Sequence, residues 1–472
     1  MLRPPVVHSG SRSGYRPSGH TVVTSTPTRK RGGQPPVQGL ALIGCADTAA
    51  QDTAQLVWLC DLDRVSIGRG EPFRTEVGPR EIELRVPDGR VSAHHLTLQR
   101  GRGTWVLRDA GARHGTLIRG QKRTEVTLRP GDVFQTGRTF WRYVEHRPYT
   151  GTTSSGETSA ALGPTRTICP AFIEQIAKAS LCAPSEGPVL ILGETGVGKD
   201  VLARQIHAWS GRKGDFLAVN CPGIPKASWE RELFGHVKDI FPGVHKDAAG
   251  YIEAAAPGTV LLDEIGELEP EAQAKLLRVL ANHEITRVGE ARPRKVDVRI
   301  LAATNRNVPE LLGRGFREDL YARFTHVLQV PPLRERIEDV GILLAHFLRP
   351  HGKQAASSVD SELFRRLLAG PWRLNVREME HALECALLAA RGAPDLLSEH
   401  LTLPDEPEQP QAQEPSPQLA TEASKSRLPE ALARLEGNVT AAAKELGVSR
   451  MTINRWCKEL AVNPRQHRKS RK

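Results

Sequence analysis

The 472-residue sequence predicts a multidomain chain: an N-terminal β-sandwich, a central α/β domain with a helical lid, and a short all-α C-terminal domain. Three observations carry that reading. Short runs of alternating apolar and polar residues fill about 39–146, with Gly, Pro or Asp closing each run, as strands of a sandwich do. Strand-like apolar runs then alternate with amphipathic helical stretches, the pattern of a largely parallel sheet. Two polar stretches without apolar periodicity, 147–164 and 405–424, separate these segments and read as linkers. The resulting order is a basic tail at 1–38, the sandwich at 39–146, a linker at 147–164 and the α/β domain with its lid at 165–404. An acidic Pro/Gln-rich linker follows at 405–424, then the helical domain at 425–463 and a second basic tail at 464–472.

Composition bounds the classes open to this chain. Apolar content of 39% and charge of 25% describe a soluble protein with real cores. No run approaches the roughly 18 apolar residues of a membrane span, so no membrane partner is expected. The N-terminus has no apolar segment of the secretory kind. Seven scattered Cys without a CxxC pair read as reduced thiols, which predicts a cytoplasmic location. The net charge is +11, with six Lys/Arg and no acid in 1–38 and five Lys/Arg and no acid in 464–472. The two tails thus account for the whole excess, and their composition predicts disorder. A basic tail behind a DNA-binding module would add salt-dependent affinity for phosphates, although the first tail is equally readable as a solubilising one.

The sandwich runs are QLVWLC, EIELRV, HLTLQR, TWVLRD, TLIRG, VTLRPGDVFQ and TFWRYVE. Between them, Ile67-Gly68-Arg69, Ser92-Ala93-His94-His95 and His114-Gly115-Thr116 fall in loops. A guanidinium and a hydroxyl together suit a dianionic phosphate. The segment resembles a forkhead-associated (FHA) domain along essentially its whole length. That resemblance implies that Arg69 and Ser92 grip a phosphothreonine, that His114 borders the bound peptide, and that His95 props the loop. The family's Asn residues are replaced by His114 and Arg119, and its Arg after the Ser by Ala93. A purely structural role for Arg69 and Ser92, tying loops together, stays open.

In the central segment, Val189–Leu192 leads into Gly193-Glu194-Thr195-Gly196-Val197-Gly198-Lys199-Asp200 and then a helix. This spacing, G-x4-G-K, is that of a P-loop. Its backbone N–H groups and the helix start cradle phosphates, and Lys199 reaches the β and γ oxygens. Val260-Leu261-Leu262-Asp263-Glu264 is a buried strand ending in two acids. Asp263 would hold Mg²⁺ and Glu264 would polarise the attacking water. A third strand, Val298 to Thr304, ends in Asn305, placed to sense the γ-phosphate. ATP, Mg²⁺ and an ATPase activity, ATP and water to ADP and phosphate, are the expected cofactors and chemistry.

The strings GETGVGKD, AVNCPGIP, ELFGH, GTVLLDEIGEL, AATNRN, FREDLYARF, PPLRERIEDV and NVREME resemble, in this order, the AAA+ domain of bacterial enhancer-binding proteins. These are activators of sigma-54 RNA polymerase. An acid after the P-loop Lys is usual in that family, which accounts for Asp200. The resemblance implies that Asn220 is a switch restraining Glu264, and that Arg317 and Arg323 are arginine fingers reaching a neighbouring subunit. It further implies that Arg377 couples the lid to nucleotide, and that the chain self-associates into a ring, expected as a hexamer. The lid reads Trp372-Arg373-Leu374-Asn375 where the family has Trp-Pro-Gly-Asn.

The family's sigma-factor loop, ELFGHEKGAFTGA, aligns with Glu232–Val244, so Phe241, Pro242 and Gly243 stand at its tip. Phe241 and Gly243 match, while Pro242 replaces Thr and Asp239 replaces Gly. Pro242 removes a hydroxyl and an N–H and fixes φ. Asp239 is expected to withdraw access to φ > 0 and to add a charge. Ile240 and Val244 add β-branched bulk.

Residues 428–460 parse into three helices, the first two ended by Gly437 and Gly447 and the last capped by Ser449. Ile453, Trp456, Cys457 and Leu460 give the last helix an apolar face. Its other face carries Arg450, Thr452, Asn454, Arg455 and Lys458, a set suited to reading bases in DNA. This resembles the Fis-like helix-turn-helix of enhancer-binding proteins. The combined expectation is an ATP-dependent, DNA-binding transcription regulator that remodels sigma-54 RNA polymerase. Control would come from a phosphothreonine-containing partner, and without a receiver domain the implied upstream signal is a Ser/Thr kinase. Two alternatives stay open: a DNA-binding regulator or repressor that no longer engages sigma-54, and a phosphopeptide-binding adaptor.

Overall fold

The computed structural model describes residues 36–71, 73–146, 157–163, 165–240, 245–349 and 358–403, with isolated positions between 431 and 457. The chain divides into two compact units, Met1–Thr402 and Leu403–Lys472.

The first unit begins with a sandwich of a seven-stranded and a six-stranded sheet. Its strands alternate where one face is wet: in Glu81–Val86 the side chains of Ile82, Leu84 and Val86 are buried and those between them are not. Leu98, Trp105, Leu107, Phe134 and Trp141 fill the space between the sheets. One strand breaks the rule. Every residue from Gly39 to Cys45 in the strand Val37–Cys45 is buried. Leu40 and Leu42 enter the sandwich core, whereas Ala41 packs with Ile168 and Ile342 on the opposite face. A strand covered on both sides reads as a continuous apolar run, and a search for alternation passes over it.

What covers that second face is the ATPase-like part of the chain. The helix Val340–Leu348 lies so close that a Cβ on Gly341 would stand 1.9 Å from the Ile43 carbonyl oxygen. Phe140 stacks on Phe364 with ring centroids 4.5 Å apart and planes 6° from parallel. The connection is also structured in its second half. Glu157–Thr158 pairs with Gln55–Trp58 as an added strand, and Ala160–Leu162 pairs with Thr165–Thr167 in a hairpin. Strands of two or three residues show no period, so the linker composition of 147–164 gave no sign of them. Arg166 clamps Asp52 with two hydrogen bonds of 2.8 Å.

The central sheet is parallel, in the order Phe216–Asn220, Thr259–Asp263, Arg299–Thr304, Val189–Leu192, His326–Gln329. Leu190, Leu262 and Ile300 pack on one face with Leu276. Ile191, Leu261 and Leu301 pack on the other with Phe172, Leu202 and Ile206. The functional strands therefore end together at one edge, with Asn220 directly beside Asp263 in register. The lid follows as helices Val340–Leu348, Ser361–Ala369 and Asn375–Ala390. Among the described residues no helix is long and apolar enough to cross a membrane. In the second unit Trp456 and Cys457 are helical and buried, in keeping with the apolar face read from the sequence.

Substituting Gly341→Ala should destabilise the chain by about 1–3 kcal/mol, because the added methyl overpacks a backbone contact. Gly313→Ala, with nothing within 4 Å of the added carbon, should change stability by less than about 0.5 kcal/mol. Denaturant unfolding followed by tryptophan fluorescence compares the two.

Candidate functional site

The P-loop forms as the sequence predicts, between the strand Val189–Leu192 and the helix Lys199–Ser210. Gly196 and Gly198 take φ of +76° and +94°, values that L side chains resist. Lys199 folds back into the loop, donating to the Gly193 carbonyl at 2.8 Å and to that of Glu194 at 3.4 Å. The loop opens onto a cleft of about 1200 Å³ whose lining includes Lys199, Asp200, Asn220, Asp263, Glu264, Asn305 and Arg377. Seven of the sequence-predicted nucleotide residues are thus gathered in one place.

Glu264 stands in the left-handed backbone region, φ +54°, a conformation uncommon outside Gly, Asn and Asp. It places the carboxylate 3.4 Å from the Lys199 ammonium, while the other oxygen accepts the Asn305 N–H at 2.9 Å. Among the described residues these are the partners of the Glu264 carboxylate. Asn220 lines the same cleft, but no hydrogen bond joins it to Glu264 among the described residues. Burial raises the Asp263 carboxyl above its usual range, opposed by Lys199 and reinforced by Glu264. A divalent cation beside such a half-buried carboxylate would oppose that rise. Arg317 and Arg323 are exposed and absent from the cleft lining. Arg317 is held by Asp319 through two hydrogen bonds of 2.9 and 2.7 Å.

Residues that the sequence did not single out complete the loop's support. Arg334 grips Glu194 with both carboxylate oxygens engaged, at 2.8 and 2.6 Å, and holds that carboxyl below its usual range. Arg336, itself buried, donates to the Val197 carbonyl at 2.7 Å. Asn375 is fully buried at φ +58°. It donates to Thr195 and Glu194 and accepts the Leu333 N–H at 2.8 Å. The lid turn closes without its Pro-Gly pair, the Asn375 N–H reaching the Trp372 carbonyl at 2.9 Å. The strings PPLRERIEDV and NVREME marked the region, but no periodicity tells which of their polar residues turn inward.

In the stretch that aligns with the family's sigma-factor loop, Phe241, Pro242, Gly243 and Val244 lie outside the described residues. The flanks are ordered by a bridge between His236 and Ala248 and by the Lys238 N–H on Asp247 at 2.8 Å. One expectation is corrected here: Asp239 does adopt a positive φ, +63°. Aspartate tolerates the left-handed region better than most residues, so the absence of Gly does not close that region to the chain here. His245 lies 3.7 Å from the Asp239 carboxylate.

On the sandwich, Arg69 and His114 are exposed and Ser92 is half-buried between them in the loops. Ile67, Gly68 and Arg69 lie in the strand Arg64–Arg69 rather than in the loop expected from the sequence, and Gly68 lets that strand touch the neighbouring loop, since a Cβ there would fall 2.0 Å from the Ala93 carbonyl oxygen. His95 is fully buried; its ring accepts the Ser92 N–H at 3.2 Å and faces the Gly115 carbonyl at 3.3 Å. Burial lowers its pKa, which favours the neutral ring. Arg85, another residue the sequence left unmarked, donates to the Ala93 carbonyl at 2.7 Å. Arg119 is occupied with Asp132. The base-reading candidates Arg450, Thr452, Asn454, Arg455 and Lys458 lie outside the described residues. Substituting Asn375→Ala should cost about 1–3 kcal/mol of stability in denaturant unfolding, because it strips a buried N–H and a buried carbonyl of their partner.

Four domain families match the chain in order: the FHA domain at 65–137, the Sigma-54 interaction domain at 167–330, the AAA+ ATPase lid domain at 334–418, and the Fis-family bacterial regulatory protein domain at 421–458. The transcriptional regulatory protein FlbD of Caulobacter vibrioides is 41% identical over 317 residues, 61% of this chain and 69% of that one. The regulatory protein AtoC of Escherichia coli is 37% identical over 324 residues, 65% and 70% of the two chains. With the Nif-specific regulatory protein of Azospirillum lipoferum the identity is 44% over 227 residues, but the match spans only 36% of that protein. Domain order, P-loop cleft and relatives agree: the chain belongs to the sigma-54-dependent transcriptional regulators of bacteria, the enhancer-binding proteins, with an FHA domain ahead of its AAA+ domain and a Fis-type helix-turn-helix behind it.

Proposed function

We propose that this chain assembles into a ring that hydrolyses ATP to remodel sigma-54 RNA polymerase from upstream DNA, under the control of a phosphothreonine-bearing partner. The observation that carries the reading is the Glu264 carboxylate, fixed between the Lys199 ammonium and the Asn305 amide at the mouth of the cleft. A carboxylate so placed can orient a water toward a phosphate lying over the P-loop. Asp263 would hold Mg²⁺, which supplies charge neutralisation at the phosphoryl oxygens when bound. Lys199 would contact the β and γ oxygens, Asn305 would sense the γ-phosphate, and Asn220 and Arg377 would relay its presence to the strand end and the lid. Arg317 and Arg323, exposed and outside the cleft lining of their own chain, suit a role as fingers in the next subunit's site. Leaving Asp319 is then part of forming the ring.

The exposed Arg69 with Ser92 beside it supports phosphothreonine binding by a charge-assisted pair. Wild-type chain should bind a phosphothreonine peptide from its kinase partner in calorimetry. Arg69→Ala should weaken that binding by about tenfold or more, the worth of a hydrogen bond to a charged group.

Pro242 supports a second reading, a DNA-binding regulator that hydrolyses ATP without engaging sigma-54. Promoter melting with sigma-54 polymerase, ATP and the full chain separates the two. Open complexes with wild type, lost in Lys199→Ala, support the activator. Melting only by Pro242→Thr favours the second reading. The absence of ATP turnover from both chains leaves the adaptor. Because Asp239 itself takes a positive φ, the single Pro242→Thr change is the informative variant.

A further inference from the structure

The sandwich does more than touch the ATPase domain. On its seven-stranded sheet, Arg142 of the strand Thr139–His146 donates to the Glu338 carboxylate at 2.7 Å, with 17% and 4% of the two side chains exposed. Glu338 belongs to a segment of two short 3-10 turns, Leu333–Glu335 and Ile337–Asp339. Other side chains of this segment hold the P-loop: Arg334 on the Glu194 carboxylate and Arg336 on the Val197 carbonyl, two residues before Lys199. Asp339 closes the set, 3.8 Å from Arg336 and accepting from the Thr167 hydroxyl and the Ile168 N–H at 2.7 and 2.9 Å. The contact is therefore continuous from the sandwich to the phosphate-binding loop through the five residues of main chain from Arg334 to Glu338.

Two physical facts make that contact stiff. Packing holds the sandwich in place, through the Phe140–Phe364 stack and the approach of Gly341 to Ile43. Charge holds the segment. Burial pushes the Glu338 carboxyl up to about 7, with the Arg142 guanidinium opposing. Removing the partner of a buried charge is more disruptive than removing the pair, because the stranded group must take a proton or move toward water. Either response disturbs Arg334 and Arg336, which share its main chain.

We infer that Arg142 is a positioning residue for the nucleotide site, fixing through Glu338 the segment that holds the P-loop. The inference rests on the ATPase reading above. The sandwich is then part of the ATPase's frame as well as its sensor, and any partner that unseats it loosens the grip on nucleotide.

Steady-state ATPase kinetics and binding of a fluorescent ADP analogue, both on the full-length chain, test this. In Arg142→Met the KM for ATP and the analogue Kd should rise by about fivefold or more, the lower range of coupling between sites, with kcat within about twofold of wild type. Arg142→Lys, which keeps a cation for Glu338, should recover most of the affinity. Adding Glu338→Gln to Arg142→Met should also recover part of it, since no buried charge is then stranded. Phe140→Ala, which frees the sandwich without touching the charges, should raise KM in the same direction and decides the matter if Arg142→Met does not fold. Unchanged KM and Kd in Arg142→Met and Phe140→Ala, beside an active wild type, overturn the coupling alone. A wild-type chain that neither binds the analogue nor hydrolyses ATP overturns the ATPase reading and the coupling with it.

Discussion

The first unit is organised around one buried carboxylate. Asp339 is almost wholly removed from water, so its charge must be answered by neighbours. It finds Arg336, the Thr167 hydroxyl and the Ile168 N–H, and with them it ties the entry to the ATPase domain to the segment under the P-loop. Burial still raises its pKa, with Arg336 opposing. Arg336 is as constrained as its partner, sandwiched over the Phe172 ring at 4.8 Å and bonded to Val197. Such groups specify geometry more than they add stability. Where the chain enters the α/β domain, where its lid begins and where phosphate would sit are fixed relative to one another by these few bonds.

The nucleotide cleft follows from sheet geometry. Parallel strands in the observed order bring Asn220, Asp263 and Asn305 to one edge, although these residues lie far apart in the sequence. The P-loop adds Lys199 from the neighbouring strand. Backbone strain at Glu264 then aims its carboxylate back along that edge. The electrostatic result is a lysine, two acids and two amides at one space.

Most of the architecture was legible in the sequence because its signals are local. Alternation marked the sandwich strands, the G-x4-G-K spacing marked the phosphate loop, and a strand ending in Asp263-Glu264 marked the second half of the cleft. What escaped was set by tertiary contact. Val37–Cys45 hides its strand character because both faces are buried, and the two-residue strand Glu157–Thr158 exists only by pairing with Gln55–Trp58. Arg334, Arg336 and Asn375 look like any polar residues of a charged stretch; only the fold turns them inward. Asp239 shows the converse, where a residue-type rule pointed away from positive φ and the chain adopted it.

The lid meets the phosphate loop at a point that needs no side chain. A Cβ on Gly196 would fall 2.0 Å from the carbonyl oxygen of Leu374, and the Val376 N–H reaches the Gly196 carbonyl at 3.0 Å. Every amino acid supplies a carbonyl, so the identity of residues 373 and 374 is free to drift while the touching surfaces stay the same. The tolerance is one-sided. Arg373 and Leu374 fill the turn that the resembling family closes with Pro and Gly, whereas position 196 has no room for a side chain, so at this contact the latitude in residue type lies at 373 and 374.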